Sequence, residues 1–352
     1  MISVAALTSG WQTPSSRFRV RQHISPLREL GVAVQEYVPA IDKYRNLPFW
    51  PEKVNYRYGL PLFLMWQGVK VATRIPGVWG SWSHQVTWLG RELLPGLLTL
   101  EPLLKRPMVF DVDDAVWLAP PFGKSVKTIA RRSKIVVAGN NYLADWFASC
   151  CRDVRVVPTA VDLDRYRPRP AHHTGHNGPF RIGWIGTSGN LRYLEAIESP
   201  LDLFLADHRD SELLVVADKP PAFRHLPGDR VRFLPWSEKA EVGALQQMDV
   251  GLMPLPNEVW TRGKCSYKML QYMACGIPVV VSPVGMNVEI LALGRAGLAC
   301  CNDGEWYEAL SHLYANRERA CIYGAEGRAI VERSFSREQV TETMAEIFRE
   351  LA

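Results

Sequence analysis

No stretch of this 352-residue chain reaches the roughly 18 uninterrupted apolar residues that a bilayer-spanning helix needs, so none is expected. Cysteine is sparse, and its seven copies show neither metal-ligand spacing nor an even framework. The adjacent pairs Cys150–Cys151 and Cys300–Cys301 read as small buried residues in a reducing cytoplasm. A basic leader with a cleavage site is missing ahead of the strand-like MISVAALTS, so no signal peptide is expected. Low-complexity tracts and short-period repeats are absent as well, which excludes solenoids. What is present is an apolar content of 47%, enough for two sizeable cores.

Charge is distributed unevenly. Residues 1–170 carry 23 Lys and Arg against 13 Asp and Glu, a net of +10, while the remainder is acidic and brings the whole chain to +5. The basic half contains a segment from Pro48 to Gly90 dense in Trp, Tyr and Phe among cations. Such a segment can rest on an anionic membrane surface, rings at headgroup depth and cations on lipid phosphates. The alternative is that the aromatics pack a core. Nucleic acid is not an expected partner, because no helix-turn-helix, zinc or stacking signature accompanies the charge.

Apolar runs of strand length alternate with helical patterns in both halves, which argues for parallel sheets covered on each face. Strands are expected at 4–7, 32–37, 86–89, 108–111, 135–138 and 154–158, with helices over 19–30, near 97–104 and over 141–149. After a Pro-, His- and Gly-rich boundary at 167–180, further strands are expected at 181–185, 212–217, 231–234, 250–253 and 279–281. Two doubly wound domains facing across a cleft is the simplest architecture. They would span 1–170 on the acceptor side and 178–335 on the donor side, with a terminal helix over 336–352 that can return to the first domain. His172, His173 and His176 in the boundary lack partner ligands and read as solvated.

The densest local signal is TRGKCSYKMLQYMACGIPVVVSP, residues 261–283, a basic Gly-containing loop, a helix and an all-apolar strand. A helix's first turn presents unpaired amides and partial positive charge, a ready phosphate site. Arg262, Lys264 and Lys268 stand beside those amides. An ordinary loop-helix-strand unit with a solvated basic loop is the plainer alternative. The upstream run from Asp249 to Pro254 reads as a buried strand ending where α/β sheets bind ligands.

The stretch from Asp249 to Leu291 resembles the nucleotide-sugar-binding core of family 4 (group 1) glycosyltransferases, retaining enzymes of the GT-B fold. The resemblance implies two Rossmann-like domains and transfer of a sugar from a nucleoside-diphosphate sugar, UDP- or GDP-linked, with retained configuration. It implies no cofactor beyond that donor and no metal, the diphosphate being neutralised by helix amides and cations. Carbohydrate, lipid-linked and small-molecule acceptors all remain open. That family carries two acids with seven residues between them, opening and riding the phosphate-side helix; here those positions are Gly263 and Gln271. Gln271 can still hydrogen-bond a ribose diol, without the strength of a carboxylate.

The same resemblance assigns the donor to Gly186, Thr187 and Arg192 after the first strand of the second domain, to Arg262, Lys264, Cys265, Ser266, Lys268 and Gln271, and to Glu289 for the sugar hydroxyls. Trp260 and Trp236 are candidates to flank the base. Across from them, Gly10 permits close backbone approach, and Arg17 or Arg19 can meet a phosphate. In FDVDDAVW, Asp111 and Asp113 sit where relatives often carry a histidine beside the donor sugar; they can hold a hydroxyl or stabilise charge at the anomeric carbon, or with Asp114 merely cap a helix. Catalysis is expected from Asp111, Asp113, Lys264 and Arg192. The missing acids leave a second possibility, a nucleotide-sugar-binding subunit of little activity, and a third, an epimerase of the same fold. The implied location is cytoplasmic, peripheral on the inner face of the membrane.

Overall fold

A computed structural model describes residues 1–47, 56–119, 123–169 and 178–352. The boundary histidines His172, His173 and His176 lie outside the described residues. The chain divides into two compact units, one of residues 1–160 with 337–352, the other of residues 161–336.

In the first unit six strands pair in parallel: β1 (Ile2–Leu7), β2 (Val32–Tyr37), β3 (Val86–Gly90), β4 (Met108–Val112), β5 (Ile135–Ala138) and β6 (Val154–Val156), in the order β2-β1-β3-β4-β5-β6. Near-continuous runs of buried Val, Ile and Phe, as in β4 and β5, are what a sheet covered on both faces demands. The helix Arg337–Leu351 contributes Val340, Met344, Ile347 and Phe348 to this core, Phe348 lying 5.2 Å from the Trp88 ring centroid.

The second unit repeats the plan with β7 (Phe180–Ile185), β8 (Ser211–Ala217), β9 (Val231–Pro235), β10 (Val250–Met253), β11 (Val279–Val281) and β12 (Gly297–Ala299), ordered β12-β11-β10-β7-β8-β9. Strand order reverses between β7 and β10, and between β1 and β3 in the first unit. Doubly wound sheets bind ligands outside the carboxyl ends of strands at such reversals. The helix Tyr267–Ala274 is fixed over the second reversal by Tyr272, whose hydroxyl accepts from the Ile185 N–H at 2.9 Å and donates to the Leu252 carbonyl at 3.3 Å. Met269, Leu270 and Met273 of this helix are fully buried, each contributing about 1.5–3 kcal/mol of apolar burial.

Three sequence expectations need correction. The helix expected near 97–104 is only a single tight turn, Glu101–Leu103, because Pro95 and Pro102 interrupt the segment and the Glu101 carboxylate instead clasps the N–H groups of Leu93 and Thr99. The helix expected over 19–30 is broken into three short turns, Ser16–Val20, Arg21–His23 and Ile24–Glu29. The aromatic segment between the strands expected at 32–37 and 86–89, where no helix is expected, contains two helices, Tyr56–Ala72 and Ile75–Ser81. Strand β12 was not foreseen, being three residues long with a glycine at its start.

Candidate functional site

At the carboxyl end of β7 the chain turns at Gly186, and the absence of a side chain there is required. A Cβ on Gly186 would lie 2.5 Å from Lys268 Cε and 2.6 Å from the Trp184 ring. Lys268, in the first turn of Tyr267–Ala274, therefore lies against the β7 turn, with its Nζ 5.5 Å from the centroid of the Trp184 ring. A cation held on a ring face gains of order 1 kcal/mol and keeps its charge.

Arg192, six residues beyond Gly186, and Lys264 share one aromatic ring. Arg192 Nη2 donates to the Tyr193 hydroxyl at 2.8 Å with its guanidinium 4.8 Å from the ring centroid, while Lys264 Nζ stands 5.9 Å from the same centroid and 5.4 Å from that of Trp260. Tyr193 itself is buried. Two cations more than 70 residues apart in sequence are thus brought to one platform. Arg262 is exposed and donates to the Asn257 side chain at 2.7 Å.

The loop carrying these cations is clamped to the loop after β11. Ser266, buried and at a positive φ of 48°, donates through its hydroxyl to Asn287 Oδ1 at 2.7 Å, and Asn287 Nδ2 donates to the Ser282 carbonyl at 2.9 Å. Gly285, at φ 54°, packs where a Cβ would come 2.6 Å from the Arg262 carbonyl oxygen. Cys265 is buried beside Ser266, and Glu289 is half-buried in the helix Met286–Leu291 that this glycine opens.

Two expected donor contacts are otherwise engaged. Thr187 is exposed and accepts from Asn190 Nδ2, but the next amide, Ser188 N–H, already donates to Asp218 at 2.6 Å. Despite the upward push of partial burial, the bonds from Ser188 hold the Asp218 carboxyl below the usual carboxylate range. Gln271 is 4% exposed, and its Nε2 donates to Glu241 Oε1 and to the Tyr166 hydroxyl, both at 3.0 Å. Glu241, equally buried, also accepts from Tyr166 at 2.8 Å, Arg165 at 3.2 Å and Trp236 Nε1 at 3.3 Å. At the position where the resemblance leads one to expect a carboxylate, Gln271 thus faces the carboxylate of Glu241, tied down by four donors. Trp236 belongs to that cluster.

In the first unit a cavity lies at the β1/β3 reversal, lined among others by Thr8, Ser16, Arg19, Gly90, Arg91 and Asp113. Arg19 does not face it as a free cation: Nε and Nη2 both donate to Asp111 Oδ1, at 3.0 and 2.7 Å, and Nη1 donates to the Val157 carbonyl. Asp111 is 2% exposed, and its other oxygen accepts from Trp88 Nε1 at 3.1 Å. Burial pushes its carboxyl above the ordinary value, with Arg19 pulling the other way. With both oxygens engaged, Asp111 fixes Arg19, which corrects the expectation of a substrate-facing carboxylate and of an Arg19 open to phosphate. Asp113 and Asp114 are instead paired with Arg91, a residue sequence reasoning did not single out, which stands at φ 60°. Burial raises the Asp113 carboxyl, but the Arg91 charge and hydrogen bond outweigh it and hold Asp113 ionised.

Gly10 is also corrected. A Cβ there would strike the Asp42 carboxylate, which in turn accepts from Thr13 Oγ1 and from the Tyr44 N–H. An acid occupies the close approach, so the loop does not present an anion site. Arg17 stacks on the neighbouring Phe18 ring at 4.5 Å. Among the described residues no cluster of His, Cys, Asp and Glu has the geometry of a metal site.

Residues 181–316 match the family model of glycosyl transferases group 1. That match lies wholly within the second unit. A curated relative, the alpha-maltose-1-phosphate synthase of Mycolicibacterium smegmatis, is 38% identical over 91 residues, 24% of this chain and 24% of its own length. Among solved structures, sucrose-phosphate synthase from Thermosynechococcus elongatus superposes with a TM-score of 0.72 at 16% identity, covering 100% of this chain and 99% of that one. Anabaena HepE in complex with UDP and glucose gives 0.71 at 14% identity over 99% and 100%. At such identities the likeness concerns fold, and that fold is GT-B, two Rossmann-like units.

Proposed function

We propose that the protein is a retaining glycosyltransferase of hexosyltransferase type, moving a sugar from a UDP- or GDP-sugar to an acceptor hydroxyl in glycan, cell-envelope or glycoconjugate synthesis. The observation that carries this reading is the convergence of Lys268, Lys264 and Arg192 at the carboxyl end of β7, each seated on an aromatic ring. A diphosphate leaving an oxocarbenium-like centre develops charge that such preset cations stabilise without reorganising. The group 1 match over this unit supports the reading, as do HepE structures solved with UDP and with UDP-glucose.

On this reading Arg192 and Lys264 act on the departing diphosphate, while Arg262, Lys268 and the amides near Cys265 and Ser266 bind it. Gly186 and Thr187 lie alongside, and Glu289 takes donor-sugar hydroxyls. Asp113, kept ionised by Arg91, accepts a hydroxyl from the acceptor side, a carbohydrate, lipid-linked or small-molecule substrate, and Asp111 acts through Arg19. No metal or further cofactor enters. On this reading the protein works in the cytoplasm on the inner face of a membrane; among the described residues no helix is long and apolar enough to cross one.

A thermal-shift screen against UDP, GDP, ADP, TDP and CMP tests the donor class. UDP or GDP should raise the melting temperature, and Lys264→Ala with Lys268→Ala should abolish the shift; no shift with any diphosphate would overturn the reading. The engaged Gln271 favours one alternative, a nucleotide-sugar-binding subunit without turnover. Tight donor binding with neither donor hydrolysis nor transfer across an acceptor panel would select it.

A further inference from the structure

Six consecutive residues of the helix Tyr56–Ala72, namely Leu60, Pro61, Leu62, Phe63, Leu64 and Met65, are apolar and exposed, the large side chains by 47–59%. At about 3.6 residues per turn, six successive positions face every direction around the helix axis. A helix resting on a protein surface is apolar on one side and polar on the other. This segment is apolar all round, with its large side chains about half exposed. A second copy or another protein would cover one side and leave the opposite leucines in water, whereas lipid encloses such a segment completely.

Its dimensions agree. Six helical residues rise about 9 Å, within reach of the roughly 5–10 Å depth of the headgroup and acyl boundary and far short of the roughly 30 Å of a crossing. The segment ends at Trp66, whose indole N–H donates to the Arg45 carbonyl at 3.1 Å and so ties the helix to the preceding loop. Near it in the chain Arg45 is exposed, whereas Lys43, Lys70, Arg74 and Arg91 are buried and bonded to partners inside the unit, so the segment's own contribution is apolar. The net charge of +10 over residues 1–170 matches lipid headgroups carrying negative charge.

We propose that Leu60–Met65 is the element by which the first unit inserts into an anionic lipid surface. The inference rests on the membrane-surface part of the function proposed above and adds its point of entry. Insertion is shallow, with hydrocarbon contact from the leucines and Phe63 and with electrostatic attraction from the basic excess of residues 1–170.

Co-sedimentation of the full chain with vesicles of phosphatidylcholine, alone or with about one-third phosphatidylglycerol, tests it beside the variant Leu62→Asp/Phe63→Asp. Both positions are exposed, so the variant should melt with the parent protein. Binding should favour the anionic vesicles and weaken with salt, and the variant's partition coefficient should fall about 100-fold. A variant that binds vesicles as well as the parent would overturn the assignment to Leu60–Met65 while leaving membrane attachment standing. A parent chain that ignores both vesicles would overturn attachment and insertion together. Should the parent instead be a dimer that the variant converts to monomer, the apolar segment is covered by a second copy and the inference fails.

Discussion

Replacing Gln271 by glutamate restores the residue type that group 1 relatives favour on this helix, yet the structure predicts that the change is harmful. Gln271 Nε2 stands 3.0 Å from Glu241 Oε1, with both residues buried. A carboxylate in its place would face another at that distance, a repulsion of about 5–6 kcal/mol at an effective dielectric near 20. Protonating one member of the pair relieves it. For a carboxyl with an ordinary value near 4.3, that proton costs about 4 kcal/mol at pH 7 and about 1 kcal/mol at pH 5. The new group's folded pKa is thus raised, so the variant is least impaired in acid and loses stability as pH rises, the protonated acid donating to Glu241 as the amide does now. At about 2–4 °C per kcal/mol for a unit of this size, Gln271→Glu should melt about 8–15 °C below the parent at pH 7 and within about 4 °C at pH 5. Calorimetry at the two pH values reads both. Equal melting at pH 7, or a deficit that grows in acid, would refute the Gln271–Glu241 contact.

His23 is buried and bonded to Thr341 Oγ1 at 2.7 Å, and burial with the nearby Arg19 and Arg337 charges pushes it down from 6.5 to about 3. The unfolded chain therefore takes up a proton that the folded chain refuses below pH 6.5, and stability should fall by about 2 kcal/mol between pH 6.5 and 4.5; in His23→Gln this acid slope should flatten. Gly186→Ala pushes the Lys268 side chain off the β7 turn, and nucleoside diphosphate affinity by calorimetric titration should drop about 10-fold, with a stability loss near 1–3 kcal/mol from the crowded Trp184 ring. Lys264→Ala should lower turnover about 100-fold while changing donor affinity less; equal losses in both would mean that Lys264 only anchors the donor.

Strands were the most legible part of this fold, since buried parallel strands such as Ile135–Ala138 write themselves as unbroken apolar runs. The cationic loop before Tyr267–Ala274 was legible for a similar reason, its residues being local in sequence. Partnerships made across long separations were not. Nothing in the neighbourhood of Asp113 announces Arg91, and nothing near Gln271 announces Glu241 thirty residues earlier. Tyr193 had a local cue, an aromatic directly after an expected phosphate cation, and the ring that holds both Arg192 and Lys264 could have been sought there. The helix Tyr56–Ala72 escaped notice because an all-round apolar segment with an internal proline shows no amphipathic period.

The central claim is that the cations around Tyr193 and Trp184 hold a pair of linked phosphates. Calorimetric titration with UDP and GDP beside uridine and guanosine, at low and high salt, tests it most directly. The account predicts that one diphosphate binds, that its nucleoside binds at least about 100-fold more weakly, and that salt erodes the difference. A nucleoside that binds as tightly as its diphosphate, or a diphosphate whose affinity ignores both salt and the Lys264→Ala/Lys268→Ala change, would contradict it.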